Sequence, residues 1–167
     1  MILRVAKLSL VFAVALFYTL IVLDNVTDYN SNYQFARHVL MMDSTFPDNP
    51  LMWRALNAPA LHTGFYVSII LWEFVVMVLC WGGFWRLLRA ISTSNGRFDQ
   101  AKPLAIAALA LGMLQWLIAF IVVGGEWFQM WQSKTWNGED AAFRVFTVLG
   151  VVLLLLVRSD SAGSEIR

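Results

Sequence analysis

Four blocks of apolar residues, separated by polar segments, are the main pattern along the chain. They cover approximately residues 3–23, 62–85, 104–125 and 141–157. Each block is close to the roughly 20 residues with which a helix crosses a hydrocarbon core of about 30 Å. Because unpaired backbone groups are costly in lipid, the blocks predict membrane-spanning helices. The predicted fold is an all-α transmembrane four-helix bundle, in which residues 1–167 form a single four-span membrane domain.

The segment between the first two blocks, residues 24–61, is too long for a plain connector. We expect it to form a cap at one end of the bundle. Its sequence YNSNYQFARHVLMMD places Tyr33, Ala36 and Val39 at helical spacing. Pro50 favours the start of a second short helix. Both short helices are predicted to be amphipathic.

Basic residues near the ends of the spans predict the orientation in the membrane. If the N-terminus is cytoplasmic, the inner basic residues are Arg4, Lys7, Arg86, Arg89, Arg97, Lys102, Arg158 and Arg167. The outer ones are Arg37, Arg54, Lys134 and Arg144. The inner excess predicts that both termini are cytoplasmic and that the cap lies outside. The small, polar tail 158–167 is predicted to be flexible.

Composition supports a membrane location and excludes one class of partner. The chain of 167 residues is 59% hydrophobic and 14% charged, whereas soluble domains are about 45–50% apolar and about 25% charged. A net charge of +1 provides no basic surface of the kind that binds nucleic acid. The lipid bilayer is therefore the first expected partner.

Tryptophan is concentrated in the polar stretch GGEWFQMWQSKTWNG after the third block. Indole rings prefer the lipid–water boundary, where the ring lies in the apolar zone and its N–H faces water. Trp127, Trp131 and Trp136 are therefore predicted to anchor the outer boundary. Trp127 and Trp131 are four residues apart, so we expect them to share one face of a short interfacial helix. The matching inner anchors are Trp81 and Trp85.

Residues in steps of three and four form one helix face on each of the second and third spans, and almost all of the face on the third span is small or polar. On the second span they are His62, Tyr66, Ile69, Glu73, Val76, Cys80 and Gly83. On the third span they are Ala105, Ala108, Gly112, Gln115, Ala119, Val122 and Glu126. Small residues let membrane helices approach closely, so we predict that the two faces meet.

Two groups of polar side chains are predicted to meet inside the bundle. Glu73 and Gln115 are each near the middle of a span and should form an intramembrane polar pair, with Thr147 near the same plane. An outer polar cluster is expected from residues that lie level at the outer ends of the spans. Its members are His62, Tyr66, Glu126, Asp140 and Arg144.

Glu73 is the most informative side chain, because a carboxylate at mid-bilayer costs roughly 2.5–3.5 kcal/mol on insertion scales and should face protein or water. One interpretation is a proton-carrying or ligand-binding group. The other is an interhelical hydrogen bond that fixes the register of the helices and is worth roughly 0.6–2 kcal/mol. We favour the second, because the sequence places no further ionisable group at that depth to relay a proton.

The sequence offers no arrangement of residues that indicates catalysis. The only histidines are His38 and His62, and the only cysteine is Cys80. This excludes an internal disulfide and makes a haem with two axial histidines a minor alternative. Neither a nucleophile with its base nor a glycine-rich phosphate loop is present. We therefore expect no enzyme activity, no cofactor and no metal site.

Several motifs resemble those of a known family. They are LDNVTDYNSNYQFARHVLMMD, IILWE with Glu73, GGEWFQMWQS, and WNG followed by AFR. Over about residues 5–157 the chain resembles the bacterial "predicted small integral membrane protein" group, a four-span domain-of-unknown-function family. The resemblance implies a multi-pass protein of the bacterial inner membrane, without an established activity. The motif residues are Asp24, Asn25, Asp28, Glu73, Glu126, Trp127, Trp131, Asn137 and Arg144.

Three functions follow as hypotheses. The first is an accessory or assembly subunit that binds a larger membrane complex or a second copy of itself, which suits a chain with many packing residues and few reactive ones. The second is a small proton-coupled transporter or channel that uses Glu73. The third is a protein that binds a lipid, quinone or haem between the second and third spans. Side chains normally fill the narrow lumen of a four-helix bundle, so we place the accessory role first.

Overall fold

The computed structural model describes residues 1–160, and this part of the chain is helical without strands. Its α-helices are α1 (Ile2–Thr27), α2 (Tyr29–Met41), α3 (Pro59–Ala90), α4 (Asn95–Ala101), α5 (Pro103–Gln115) and α6 (Glu139–Val157). A π-helical segment, Trp116–Trp127, continues α5 directly. Four helical stretches are long and apolar enough to cross a membrane: Ile2–Thr27, Pro59–Ala90, Asn95–Trp127 and Glu139–Val157. The prediction of an all-α bundle with four spans is confirmed.

The four spans close into a bundle because each of them packs against two others. α3 lies between α1 and α5, and α6 packs against α5, the π-helical segment and α1. Successive spans run in opposite directions, so residue 1 and residue 160 lie at the same end, here called the terminal end. α2 and the loop before α6 cover the opposite end, here called the cap end.

The predicted faces of α3 and α5 meet at very short range. A Cβ atom added at Gly83 would lie 2.7 Å from the Cβ of Ala105 and 2.8 Å from its backbone nitrogen. Val76 and Cys80 of α3 are at most 1% exposed, as is Ala108 of α5. Close approach of backbones is how small residues stabilise helix pairs in lipid, where burial of apolar surface gives no net driving force.

The third span departs from the predicted face after Gln115. Its π-helical segment uses i→i+5 hydrogen bonds, such as that from the Phe128 nitrogen to the Val123 oxygen at 2.9 Å. Such bonds take more residues per turn than an α-helix, so later positions rotate away from the α-helical stripe. Val122 is 48% exposed and Glu126 is also exposed. The predicted stripe therefore holds only as far as Gln115.

α1 supplies a third wall of the core, which its uniform hydrophobicity did not indicate. Its side chains at Val11, Val14, Ala15 and Tyr18 are buried. The Oη atom of Tyr18 accepts a hydrogen bond from Nε1 of Trp116 at 3.1 Å. This bond ties the first span to the third across the bundle.

The cap contains one short helix where two were predicted. A single residue, Asp28, separates α1 from α2, and it breaks the helical path with φ −113° and ψ 49°. Val39 and Leu40 of α2 pack with Phe128 and Met130 in a small hydrophobic cluster that is separate from the main core. The second predicted helix is only a 3-10 turn, Met52–Arg54.

The tryptophans at the cap end do not share one interfacial helix. Trp127 ends the π-helical segment, and Gln129, in the left-handed region at φ 53°, separates it from a 3-10 turn that contains Trp131. The two rings are 47% and 46% exposed, respectively. Trp136 instead packs inside the cap, where its ring stacks on His38 with 4.6 Å between ring centroids.

The tryptophans nearer the terminal end also differ from each other. Trp85 is 51% exposed on the surface of the bundle, as an anchor would be. Trp81 is partly buried and donates a hydrogen bond from Nε1 to Oγ1 of Thr19 at 3.0 Å. Trp81 therefore joins α3 to α1, which its position in the sequence did not indicate.

A network of charged side chains holds the terminal end together. Its centre is Asp160, whose Oδ2 lies 2.6 Å from Nζ of Lys7 and 2.5 Å from Nζ of Lys102. Lys102 also lies 2.5 Å from Oδ1 of Asp99. The side chains of Lys7, Lys102 and Asp160 are at most 6% exposed. We call these four residues, together with Arg4, the terminal network.

Arg4 extends the terminal network to the turn after α3. Its Nη1 donates to the backbone oxygens of Ile91 at 2.9 Å and Thr93 at 2.7 Å. The backbone oxygen of Arg158 accepts from both Lys7 and Lys102, at 2.6 and 2.8 Å. Residues 158–160, the start of the tail predicted to be flexible, are thus held by hydrogen bonds. The rest of that tail, 161–167, lies outside the described residues.

Replacing Gly83 with alanine is expected to lower the free energy of unfolding by about 1–3 kcal/mol, the usual cost of overpacking. The added Cβ would meet backbone atoms of Ala105, which cannot move without separating the helices. Gly64 of the same helix has nothing within 4 Å of an added Cβ. Gly64→Ala is the matched control and should be neutral or stabilising by up to about 1 kcal/mol. Denaturant titration in mixed micelles measures both variants, and equal effects would contradict the close approach.

Asp160→Asn is expected to destabilise the protein by roughly 3 kcal/mol, because it removes the counter-charge of the buried Lys7 and leaves the buried Lys102 with Asp99 alone. Burial opposes ionisation of Asp160, but hydrogen bonds from Lys102 and Lys7 outweigh it and lower the pKa of Asp160 below its usual range. The stabilisation is therefore present above the usual pKa of about 3.9 and is lost as the pH falls through the lowered value.

Thermal unfolding in detergent across a pH series measures this contribution. The difference between wild type and Asp160→Asn should persist from neutral pH to about pH 4 and vanish only in stronger acid. Asp43→Asn is the control, since Asp43 pairs with His38 at the surface, where both side chains are about one third exposed. Its effect should stay within about 1 kcal/mol. A pH-independent difference for Asp160→Asn would show that its charge is not responsible.

Candidate functional site

Four polar side chains from three spans meet in the middle of the bundle. Nδ2 of Asn25 donates to Oε2 of Glu73 at 2.6 Å, and Nε2 of Gln115 donates to Oε1 of Glu73 at 3.0 Å. The hydroxyl of Tyr66 lies 3.0 Å from Oδ1 of Asn25 and 3.1 Å from its backbone oxygen. We call Glu73, Gln115, Asn25 and Tyr66 the Glu73 cluster. It joins α1, α3 and α5 at one level.

The Glu73 cluster is withdrawn from the lipid. Gln115 is 0% exposed, Glu73 and Tyr66 are 2% exposed, and Asn25 is 9% exposed. Both carboxyl oxygens of Glu73 accept from an amide, as a polar group in a medium without water requires. One atom is left over, because Oε1 of Gln115 is buried without a hydrogen-bond partner.

A cavity of about 640 Å³ lies between the Glu73 cluster and the cap. Its walls come from the end of α1, from α2, α3 and the π-helical segment, and from the start of α6. Most of the lining is apolar, and its large aromatic members are Phe35, Phe65, Trp72, Trp116, Phe120 and Phe128. The cavity exists because the second and third spans separate beyond Gln115. Before that residue α5 packs on α3, whereas the π-helical segment after it packs mainly on α6.

Polar groups occupy the floor of the cavity and several other positions in its lining. Glu73, Gln115 and Asn25 form the floor, and the other polar residues of the lining are Asp24, Asn32, Tyr66, Ser68 and Asn137. Asp24 is the second acid. The lining contains no lysine, arginine or histidine in the part of the chain that the structure describes. Its two carboxyl groups therefore face no basic side chain across the cavity.

The cavity is partly open and is closed towards the terminal end. Phe65 of α3 and Ile118 of the π-helical segment line it and are 39% and 42% exposed, which indicates that the opening lies between these two spans. Beyond the floor the bundle is filled by residues such as Val76, Cys80 and Ala108, which are at most 1% exposed. The cavity is thus a pocket with one closed end.

The predicted outer polar cluster is not assembled in the structure. His62 is buried with Nε2 2.7 Å from the backbone oxygen of Leu56, and Tyr66 turns to Asn25 instead. The other three members, Glu126, Asp140 and Arg144, are exposed. Within residues 1–160 no side-chain hydrogen bond or ion pair connects the five. Glu126 is displaced because the π-helical segment changes the register after Gln115.

Of the residues predicted for the centre, Glu73 and Gln115 are brought together and Thr147 is not, because it is exposed on α6. The partner that sequence reasoning missed is Asn25. The first apolar block of the sequence ends at about residue 23, whereas α1 continues to Thr27 and carries Asn25 into the bundle. Its place among the family motif residues was the one signal that pointed to it.

The two histidines do not lie at the cavity. His38 pairs with Asp43 at 2.7 Å in the cap, and His62 is bound to the backbone before α3. Neither residue lines the cavity, so the pocket offers no imidazole as an axial ligand for a haem. The structure therefore gives no support to the haem alternative at this site.

Comparison with known proteins identifies a family. The family model described as predicted small integral membrane protein (DUF2165) matches residues 3–159. No curated protein and no solved structure matches the chain. The matched range contains all four spans, the Glu73 cluster and the cavity, and the description of the family states no activity.

A double-mutant cycle is expected to show coupling between Glu73 and Gln115. Glu73→Leu and Gln115→Leu each remove one partner of the 3.0 Å hydrogen bond, so their combined effect should differ from the sum. The expected coupling is roughly 0.6–1.7 kcal/mol, the range for interhelical hydrogen bonds in membranes. The matched control combines Glu73→Leu with Thr147→Val, which should be additive. Unfolding in mixed micelles measures the cycle, and additive effects for the first pair would contradict the bond.

Proposed function

The chain belongs to the family of predicted small integral membrane proteins, whose description gives no activity, and on this premise we propose that it binds a lipophilic small molecule in the cavity above Glu73. The cavity itself carries the proposal. Its volume of about 640 Å³ is typical of ligand pockets, which measure roughly 300–1,000 Å³ and have apolar walls with a few polar groups. Aromatic walls and a polar floor suit a molecule with a hydrocarbon body and one polar end.

The sideways opening supports entry from the bilayer. Phe65 and Ile118 line the cavity and are partly exposed, and an opening between their two spans would face the lipid. A molecule dissolved in the membrane would therefore reach the pocket without crossing water. A tail could remain partly in the lipid while the polar end reaches the Glu73 cluster.

Binding accounts for the closed pocket better than transport does. A conducting path through Glu73 would have to pass the packed residues Val76, Cys80, Ala105 and Ala108. It would then meet the terminal network, in which Lys7 and Lys102 are already paired with Asp160. Glu73 serves in this proposal as part of a binding floor that also fixes the register of three helices.

A second candidate is the accessory role, in which the chain joins a larger membrane complex or a second copy of itself. The observation that favours it is an exposed aromatic surface at the cap. Trp53 is 70% exposed, and the guanidinium of Arg54 lies 5.4 Å from its ring and 4.6 Å from the ring of Trp127. A protein that co-purifies in mild detergent, and is lost on Trp53→Ala, would favour this role; a lone monomer would oppose it.

The location of the protein is part of the proposal. The four candidate spans and the family make it an integral membrane protein. We propose the inner membrane of a bacterium, with both termini in the cytoplasm, from the resemblance and from the excess of basic residues near the terminal end. In that orientation the cavity lies in the outer half of the bilayer.

Ala119→Phe is expected to abolish ligand binding, because Ala119 lines the cavity and a phenyl ring would fill part of it. Val122→Phe is the matched control, since Val122 belongs to the same helical segment but is 48% exposed outside the cavity. A bromoalkyl alcohol should quench the fluorescence of Trp72 and Trp116 in a saturable manner in wild type and in Val122→Phe. Saturable quenching that persists in Ala119→Phe would mean that the site lies elsewhere.

A further inference from the structure

The floor of the cavity contains a hydrogen-bond acceptor that the protein does not satisfy. Nε2 of Gln115 donates to Glu73, and this bond directs Oε1 of Gln115 away from the carboxyl group. Oε1 is buried without a partner in a residue that is 0% exposed and lines the cavity. A buried acceptor without a donor is costly, so a ligand that displaces the side chains covering this atom and brings a donor to it gains affinity.

The donors around the floor are mostly engaged within the protein. The hydroxyl of Tyr66 binds Asn25, Nε1 of Trp72 donates to the backbone oxygen of Leu111 at 3.1 Å, and Nε1 of Trp116 donates to Tyr18. Only the second amide hydrogens of Asn25 and Gln115 remain near Glu73. The carboxyl oxygens of Glu73 retain lone pairs that can accept further bonds. The floor therefore offers more acceptors than donors to a ligand.

The charges of the lining exclude an anionic ligand. Glu73 and Asp24 are its acidic residues, and no basic side chain of the described chain lines the cavity. A carboxylate or phosphate at the floor would lie beside Glu73 without a counter-charge, which is unfavourable in a medium of low dielectric constant. An ammonium group would instead pair with Glu73, and a hydroxyl group would donate to Gln115.

We infer that the ligand is an amphiphile whose polar end is a hydrogen-bond donor without negative charge, an alcohol or an amine, and that this end binds Oε1 of Gln115 and the carboxyl group of Glu73. The inference rests on the proposed function, since the apolar walls must take the hydrocarbon body. Ionised fatty acids and anionic phospholipid headgroups are excluded as ligands of the floor. A quinone, which offers only carbonyl acceptors, is a poorer match than an alcohol.

Three probes with the same bromoalkyl tail test the inference, because they differ only in an alcohol, an amine or a carboxylate at the end. The protein is reconstituted in phosphatidylcholine vesicles at neutral pH, and quenching of tryptophan fluorescence is followed for each probe. The alcohol and the amine should bind in a saturable manner. The carboxylate should bind at least about ten-fold more weakly, the ratio that one lost or repelled polar contact produces.

Two variants assign the contacts. Gln115→Leu should weaken binding of the alcohol probe about ten-fold. Quenching by the bromoalkyl tail should still saturate in this variant. Glu73→Gln should weaken binding of the amine probe more than binding of the alcohol probe. It should also reduce the difference in affinity between the alcohol and the carboxylate probes. If neither variant folds, as judged by circular dichroism, the order of the affinities of the three probes for the wild-type protein still tests the inference.

The outcomes separate the two proposals. Equal binding of the three probes that Ala119→Phe abolishes would overturn the assignment of the polar end and leave the binding function standing. Saturable binding by none of the probes would remove both. Both proposals are supported if the alcohol or the amine binds tightly, the carboxylate binds weakly, and binding depends on Gln115 or Glu73. The probe with the higher affinity, alcohol or amine, then identifies the headgroup.

Discussion

The exclusion of water from the middle of the membrane is the constraint on which this structure depends. Glu73 cannot face lipid at acceptable cost, so both of its oxygens are bonded inside the bundle, one to Asn25 and one to Gln115. These two bonds determine which faces of α1 and α5 point towards α3. The small residues of the interface, of which Gly83 makes the closest approach, allow the backbones to come near enough for the bonds to form.

The two halves of the bundle differ because of what happens on either side of this cluster. Towards the terminal end the spans are α-helical and tightly packed, and the terminal network around Asp160 ties their ends together. Towards the cap end the third span becomes π-helical after Gln115 and leaves α3 for α6. The cavity fills the space that this departure opens. π-helical turns often lie at functional sites, and here one forms a wall of the pocket.

The chemistry of the pocket follows from the same arrangement. Polar groups that hold the helices in register also form the floor, so in the proposed function one set of residues would serve both stability and recognition. Oε1 of Gln115 is unsatisfied, and no basic side chain among residues 1–160 lines the cavity. The proposed preference for an uncharged or cationic donor follows from these two features.

The sequence by itself determined the four spans, the all-α fold and the small-residue faces of α3 and α5 as far as Gln115. It also placed Glu73 and Gln115 at one level, since equal depth in a membrane follows from position along each span. Only the tertiary structure decided that Asn25 completes the cluster, that Glu126 faces outward and that the spans separate into a cavity. The reason is that periodicity describes one helix at a time and assumes α-helical spacing throughout. A change to π-helical spacing, the extension of a helix beyond its apolar block and the contacts among three helices depend on packing, which no single segment encodes.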